Sequence, residues 1–206
     1  MALGLSKPVE KVELVQYDAT KLKVLGIYCL VKFEKFPVTS LYISRARDYD
    51  RWKGTLVSTG TTPHEDTKGI AVGQTVCLNK HVLPKAEFGW EDQYYGLFDS
   101  NDVVAKVDVG SDSSSPFDAV PLGPLFLVRR VFDDGLKNGI YRPSDATKNV
   151  LRGEVVTLGA RVSDEAKALP LGALVSLNKY AMRFYTWEYE GNTYDIFNSE
   201  DIEAIG

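Results

Sequence analysis

The chain has 206 residues, 44% of them apolar and 11% aromatic, with a formal net charge of −4. That apolar content can fill one large core or two of about a hundred residues each. The acidic balance offers no basic face to neutralise phosphates and argues against a nucleic-acid binder. Two cysteines, Cys29 and Cys77, lie in apolar strand-like runs; they imply no disulfide framework and read as core residues.

Residues 1–22 read as an N-terminal arm, with Val12, Leu14 and Tyr17 suited to a short edge strand. The first positions are too polar for a secretory apolar segment or a membrane span and lack the Arg/Ser-rich look of a transit peptide. A cytosolic chain is expected, or a mature chain whose targeting segment has been removed. Residues 24–33 form a dense β-branched and aromatic run of strand length, and 121–131 form its counterpart. Each is followed by a charged segment of about twenty residues, 34–52 and 132–151, without helical periodicity; loops that long inside compact units are functional or disordered.

Strands are expected next at 53–59 and 152–158, ending at Gly60 and Gly159. Polar excursions over 61–71 and 160–170 return at Gly73 and Gly172, where glycine suits a tight turn. They read as solvated loops, and Glu65, Asp66, Asp164 and Glu165 are assigned no chemistry. Third strands at 74–80 and 173–179 lead into aromatic tracts, 88–98 and 184–197, patterned as hairpins, with Glu190-Gly191-Asn192 as the turn of the second. Trp90, Trp187 and Tyr189 in these tracts read as packing residues. Asp102 and Asp201 have the look of turn or cap residues before a last short strand.

These paired descriptions reflect an internal repeat. Gly153 follows Gly54 by 99 positions, and the same 99 relates Gly159 to Gly60, Gly172 to Gly73 and Asp201 to Asp102. The run Val76-Cys77-Leu78-Asn79-Lys80 returns as Val175-Ser176-Leu177-Asn178-Lys179. A separation kept without gaps from residue 53 onward indicates two copies of one unit. Many short strands, glycine turns and no amphipathic helix predict an all-β chain of two small barrels. The expected units are 23–107 and 120–206. Between them the Ser/Asp-rich stretch 108–119 reads as a short flexible linker.

The second copy resembles the GroES-type co-chaperonins. Pro121-Leu122 opens a strand running into Val128-Arg129-Arg130, and Asn138-Gly139-Ile140-Tyr141 follows in the long loop. Then come Arg152-Gly153-Glu154-Val155, Leu158-Gly159, Leu171-Gly172-Ala173-Leu174-Val175, Glu190-Gly191 with Tyr194-Asp195-Ile196, and Glu200-Asp201-Ile202 with Ala204-Ile205. The first copy follows the same plan with fewer matching letters. The resemblance implies two tandem GroES-like barrels, self-association into a ring, and a lid on a group I chaperonin bound in a nucleotide-dependent way. It implies no cofactor, no nucleic acid and no membrane. It places the chain in the cytoplasm of a bacterium or phage-infected host, or, for a mature chain, in the plastid stroma.

In that family an apolar tripeptide at the tip of the long loop docks on the chaperonin. The matching positions are Leu41, Tyr42 and Ile43 in the first copy and Ile140 and Tyr141 in the second, where Arg142 and Pro143 depart from the pattern. Burying such side chains in a partner's groove is worth about 1.5–3 kcal/mol each. Strand-forming residues at a loop end can equally serve as an edge strand packed on their own barrel.

Catalysis finds little support in the sequence. His64 and His81 are the only histidines and have no counterparts, Ser163 and Tyr180 standing at the equivalent positions. Cys77 and His81 are too few for a zinc site, which needs three or four ligands. No nucleophile elbow, phosphate loop or dinucleotide fingerprint occurs. The rival expectation is a non-catalytic structural or virion-assembly protein that reuses the barrel.

Overall fold

A computed structural model describes residues 21–33, 52–91, 93–131, 136–137, 140–141 and 151–205. Among these residues it is all-β: two large antiparallel sheets and a two-stranded ladder, with helix limited to single turns. The first sheet contains β1 (Tyr28–Phe33), β2 (Lys53–Thr59), β3 (Thr75–Leu78), β4 (Ala86–Trp90), β5 (Gln93–Asp99), β6 (Val103–Val107) and β7 (Ala119–Pro121). Its order is β4-β5-β1-β2-β3-β6-β7. The second contains β8 (Leu125–Val131), β11 (Leu151–Leu158), β12 (Leu174–Leu177), β13 (Tyr185–Tyr189), β14 (Asn192–Asn198) and β15 (Ile202–Ile205), in the order β13-β14-β8-β11-β12-β15. Between β8 and β11, β9 (Leu136–Lys137) and β10 (Ile140–Tyr141) form a separate two-stranded ladder. Neither large sheet closes on itself among the described residues.

The opening apolar runs are each shorter as strands than their composition suggests. Gly26 (φ +63°) and Gly123 (φ +59°) take the left-handed conformation that residues with a Cβ rarely adopt, and the run breaks there. Beyond the break, β1 and β8 are near-continuously apolar because both faces are covered. Cys29, Val31 and Phe33 face a core with Leu56, Val76, Leu78 and Phe98, while Leu30 packs on the other side with Tyr95 and Val24. Likewise Phe126 and Val128 face a core with Val155, Val175 and Phe197, and Leu125 and Leu127 face the opposite way.

The ladders of the two sheets run in matching register. Phe33 stands opposite Gly54 as Arg130 stands opposite Gly153, and both pairs of strands carry a bulge before the run ends. Both final glycines approach backbone closely. Gly60 N donates to Tyr28 O and Gly159 N to Leu125 O, and a Cβ on Gly159 would sit 2.6 Å from the carbonyl oxygens of Gly123 and Leu125.

Two expectations need revision. The polar excursions are not wholly solvated. The first contains a 3₁₀ turn (Glu65–Thr67) and sends Ile70 into the core, and the second contains the one-turn helix α1 (Asp164–Lys167) and buries Val162, Ala166 and Leu169. Asp102 and Asp201 lie, as expected, in turns just before the last short strands, ending 3₁₀ turns whose caps are Asp99 and Asn198, which accept from the N–H groups of Asn101 and Glu200. The Ser/Asp-rich stretch is ordered. Its polar side chains fold back on their own backbone, Asp112 accepting from Ser114 N (2.8 Å) and Ser115 from Phe117 N (3.3 Å), which supplies the hydrogen bonds a core would otherwise have to. Its end, β7, adds to β6, so a strand that follows the linker completes the first sheet.

Candidate functional site

The first docking triplet, Leu41, Tyr42 and Ile43, lies outside the described residues. Ile140 and Tyr141 form β10, with Ile140 opposite Lys137 and Tyr141 opposite Leu136. The second long loop therefore carries a short antiparallel ladder that includes Ile140 and Tyr141.

A second region, not foreseen in the sequence, is the seam where the sheets meet. From the first sheet it takes Cys77, Val104, Ala105, Val107 and Ala119; from the second, Leu125, Leu127, Tyr185, Trp187, Tyr194 and Ile196. Leu122 N donates to Val104 O (3.0 Å), continuing the β6–β7 ladder across the start of the second unit. Phe117 of the connecting stretch meets Tyr194 edge-on, with centroids 5.4 Å apart, and Tyr189 at 6.0 Å.

Polar contacts rim this apolar seam. Lys80 N donates to Phe184 O (2.9 Å), His81 Nε2 donates to Arg183 O (2.9 Å), and Lys80 Nζ reaches Thr186 Oγ1 (3.4 Å). Thr186 donates in turn to Asp195 (2.8 Å), a carboxylate only 1% exposed that also accepts from Arg130 Nε (2.9 Å) and Nη2 (2.6 Å). Burial lowers the Lys80 pKa, and the Asp195 charge opposes that fall. A further contact between the two units pairs Arg161 with Asp66, and His64 Nδ1 lies 3.5 Å from the same carboxylate. The signal that could have revealed the seam is a mismatch between the copies. Asp195 and Arg130 stand where the first copy has Gly96 and Phe33.

Cys29 and Cys77 are both buried, and burial, reinforced by Asp102 and Asp99, pushes the Cys29 thiol up to about 12, far from a reactive thiolate. Among the described residues no group of three or more His, Cys, Asp or Glu side chains could hold a metal ion, and no helix is long and apolar enough to cross a membrane.

Comparison with known proteins gives the family. The chain is 34% identical over 86 residues to the co-chaperonin GroES of Porphyromonas gingivalis, a match covering 41% of this chain and 94% of that protein. The chain belongs to the co-chaperonin GroES family. The GroES of Bacteroides thetaiotaomicron is 39% identical over 67 residues, 32% of this chain and 72% of that protein. No protein-family profile matches the chain. A whole GroES thus corresponds to less than half of the present chain.

Proposed function

We propose that this protein is a tandem co-chaperonin: two GroES-like modules, 23–107 and 120–206, that self-associate into a ring and cap a group I chaperonin in a nucleotide-dependent manner. The observation that carries the reading is that 94% of a GroES is accounted for by 86 residues of a 206-residue chain whose halves repeat. Leu41, Tyr42 and Ile43 are the principal docking residues, and Ile140 and Tyr141, followed by Arg142-Pro143, form a weaker second contact. The pairing of Ile140 and Tyr141 with Lys137 and Leu136 in a short ladder supports a second loop that carries local structure at this contact. A single loop binds weakly because ordering it costs conformational entropy. Several loops on one ring bind through effective concentration and still release.

Ring formation is supported by the seam. Gly26 aligns with Gly123 at a separation of 97, which makes 22–24 the counterpart of β7, while β15 is the counterpart of β6. The outer edge of β15 has no strand partner among the described residues. A second copy offering its 22–24 segment there repeats the internal β6–β7 ladder head to tail, a heterologous contact that closes rings. The protein has no catalytic activity of its own, requires no cofactor, and works in the cytoplasm of a bacterium or phage-infected host, with the plastid stroma as the alternative.

Co-sedimentation with a group I chaperonin, with and without adenine nucleotide, tests the reading. Wild-type protein should bind only with nucleotide, Leu41→Asp/Ile43→Asp should abolish binding, and Ile140→Asp/Tyr141→Asp should weaken it. A second reading, a structural or virion-assembly protein, is favoured by Arg142 and Pro143 in the second loop, and predicts no binding by folded wild-type protein.

A further inference from the structure

The internal seam specifies what a seam between two copies must contain. Shifted by 99 positions, Lys80, which donates to Phe184 O and Thr186, becomes Lys179; Thr186 becomes Glu87, and Asp195, directly opposite Thr186 in the β13–β14 ladder, becomes Gly96, directly opposite Glu87 in the β4–β5 ladder. In both cases one lysine faces one cross-strand pair holding one carboxylate. Only the strand that carries the carboxylate changes. Inside the chain the carboxylate is Asp195, reached through Thr186; at the free end it is Glu87, at the position equivalent to the one Lys80 already touches.

We propose that copies of this chain join head to tail across a seam in which Lys179 of one copy forms an ion pair with Glu87 of the next. This rests on the self-association proposed above and assigns its contacts. Both groups are exposed in the single chain, and Lys179 Nζ lies over the Tyr180 ring, 4.7 Å from its centroid. Tyr180, 81% exposed, takes the place of His81 and faces Pro84 of the next copy, the counterpart of Arg183. The ladder itself brings Leu25 N to Glu203 O, as Leu122 N meets Val104 O; Leu25 is 59% exposed where Leu122 is 9%.

The two kinds of seam differ in strength. The apolar Val104 and Cys77 of the internal seam are replaced by Glu203 and Ser176, so less apolar surface is available between copies. Charge complementarity therefore carries more of the selection of one end for the other. The assembly parts between chains and never within one.

Sedimentation velocity over a concentration series tests this. Wild-type protein should assemble, and Glu87→Lys and Lys179→Glu should each raise the concentration for half-assembly by about tenfold or more, since like charges then face each other. Both sites are exposed, and circular dichroism should report unchanged folding. Mixing the two variants should restore assembly. Lys179 of the first variant then meets Glu87 of the second, and at the alternate seams the two substituted side chains meet with their signs exchanged. The double variant should assemble alone. Single reversals without effect on an assembling wild type would overturn the ion pair, as would variants weakened singly and not rescued by mixing. A folded wild type that stays monomeric at every concentration would instead overturn the self-association on which it rests.

Discussion

Replacing Arg130 with methionine isolates the energetics of the most buried charge among the described residues. Asp195 is 1% exposed and accepts two hydrogen bonds from the Arg130 guanidinium, at 2.9 and 2.6 Å, and one from Thr186 at 2.8 Å. Without Arg130 the carboxylate keeps one neutral donor. Breaking a buried pair from one side costs about 3–5 kcal/mol, and because the Arg130 side chain retains 21% exposure, water can partly reach the site and the lower end is expected. With a denaturant slope of about 1–3 kcal/mol/M, the urea midpoint should fall by roughly 1–3 M. The first sheet suggests the rescue. There the Phe33 ring lies over Gly96, so close that a Cβ on Gly96 would be 2.9 Å from it. The double variant Arg130→Phe/Asp195→Gly copies that arrangement and should recover at least half of the loss, since no charge is left stranded. A loss below about 1 kcal/mol for Arg130→Met, the range of an exposed pair, would refute the reasoning.

Other outcomes follow from single sites. Gly60→Ala and Gly159→Ala should each destabilise by about 1–3 kcal/mol, because the new Cβ meets carbonyl oxygens of the chain rather than a side chain that can swing away; thermal melts check this. Cys29 should resist iodoacetamide at pH 8.5 in folded protein and react in urea. Its folded thiol holds its proton up to about 12, while the unfolded thiol ionises first. Folding stability should therefore fall between about pH 9 and pH 12, by up to about 1.4 kcal/mol per pH unit for this group. Burial raises the carboxyl pKa of both Asp102 and Asp201. The stability tied to their protonation is present in acid and lost as pH rises through the raised folded values. Asp102→Asn and Asp201→Asn should raise the urea midpoint at pH 7, and the gain should vanish below about pH 4; a loss at pH 7 would mean their charge is used elsewhere.

The repeat is legible because glycines at close approaches, Gly54 and Gly60, and in the left-handed conformation, Gly73 (φ +93°), cannot be substituted cheaply, so they and their later counterparts keep the register visible. The strands they punctuate follow from β-branched and aromatic runs. Capping is harder to read. Asp112 and Ser115 look like linker composition, yet the same short polar side chains that keep a chain in water also close turns, and composition does not separate the two uses. The excursions read as solvated because their buried residues, Ile70 in one and Val162, Ala166 and Leu169 in the other, are isolated among polar neighbours. The seam is invisible for a different reason. Its apolar residues alternate along strands as any core would, and only the exchange of Phe33 and Gly96 for Arg130 and Asp195 marks the place where one copy meets another. The proposed docking residues come from matching positions in the resemblance to the GroES-type co-chaperonins; an apolar triplet in a charged loop is a signal that a partner's groove, not this chain's own packing, would explain.

On the proposed function, the protein closes a chaperonin. Electron microscopy of the purified protein mixed with its cognate group I chaperonin and adenine nucleotide addresses it most directly. Additional density should cap the chaperonin, be lost without nucleotide, and be lost in the Leu41→Asp/Ile43→Asp variant. Uncapped chaperonin beside folded, assembled protein under both nucleotide conditions would contradict it.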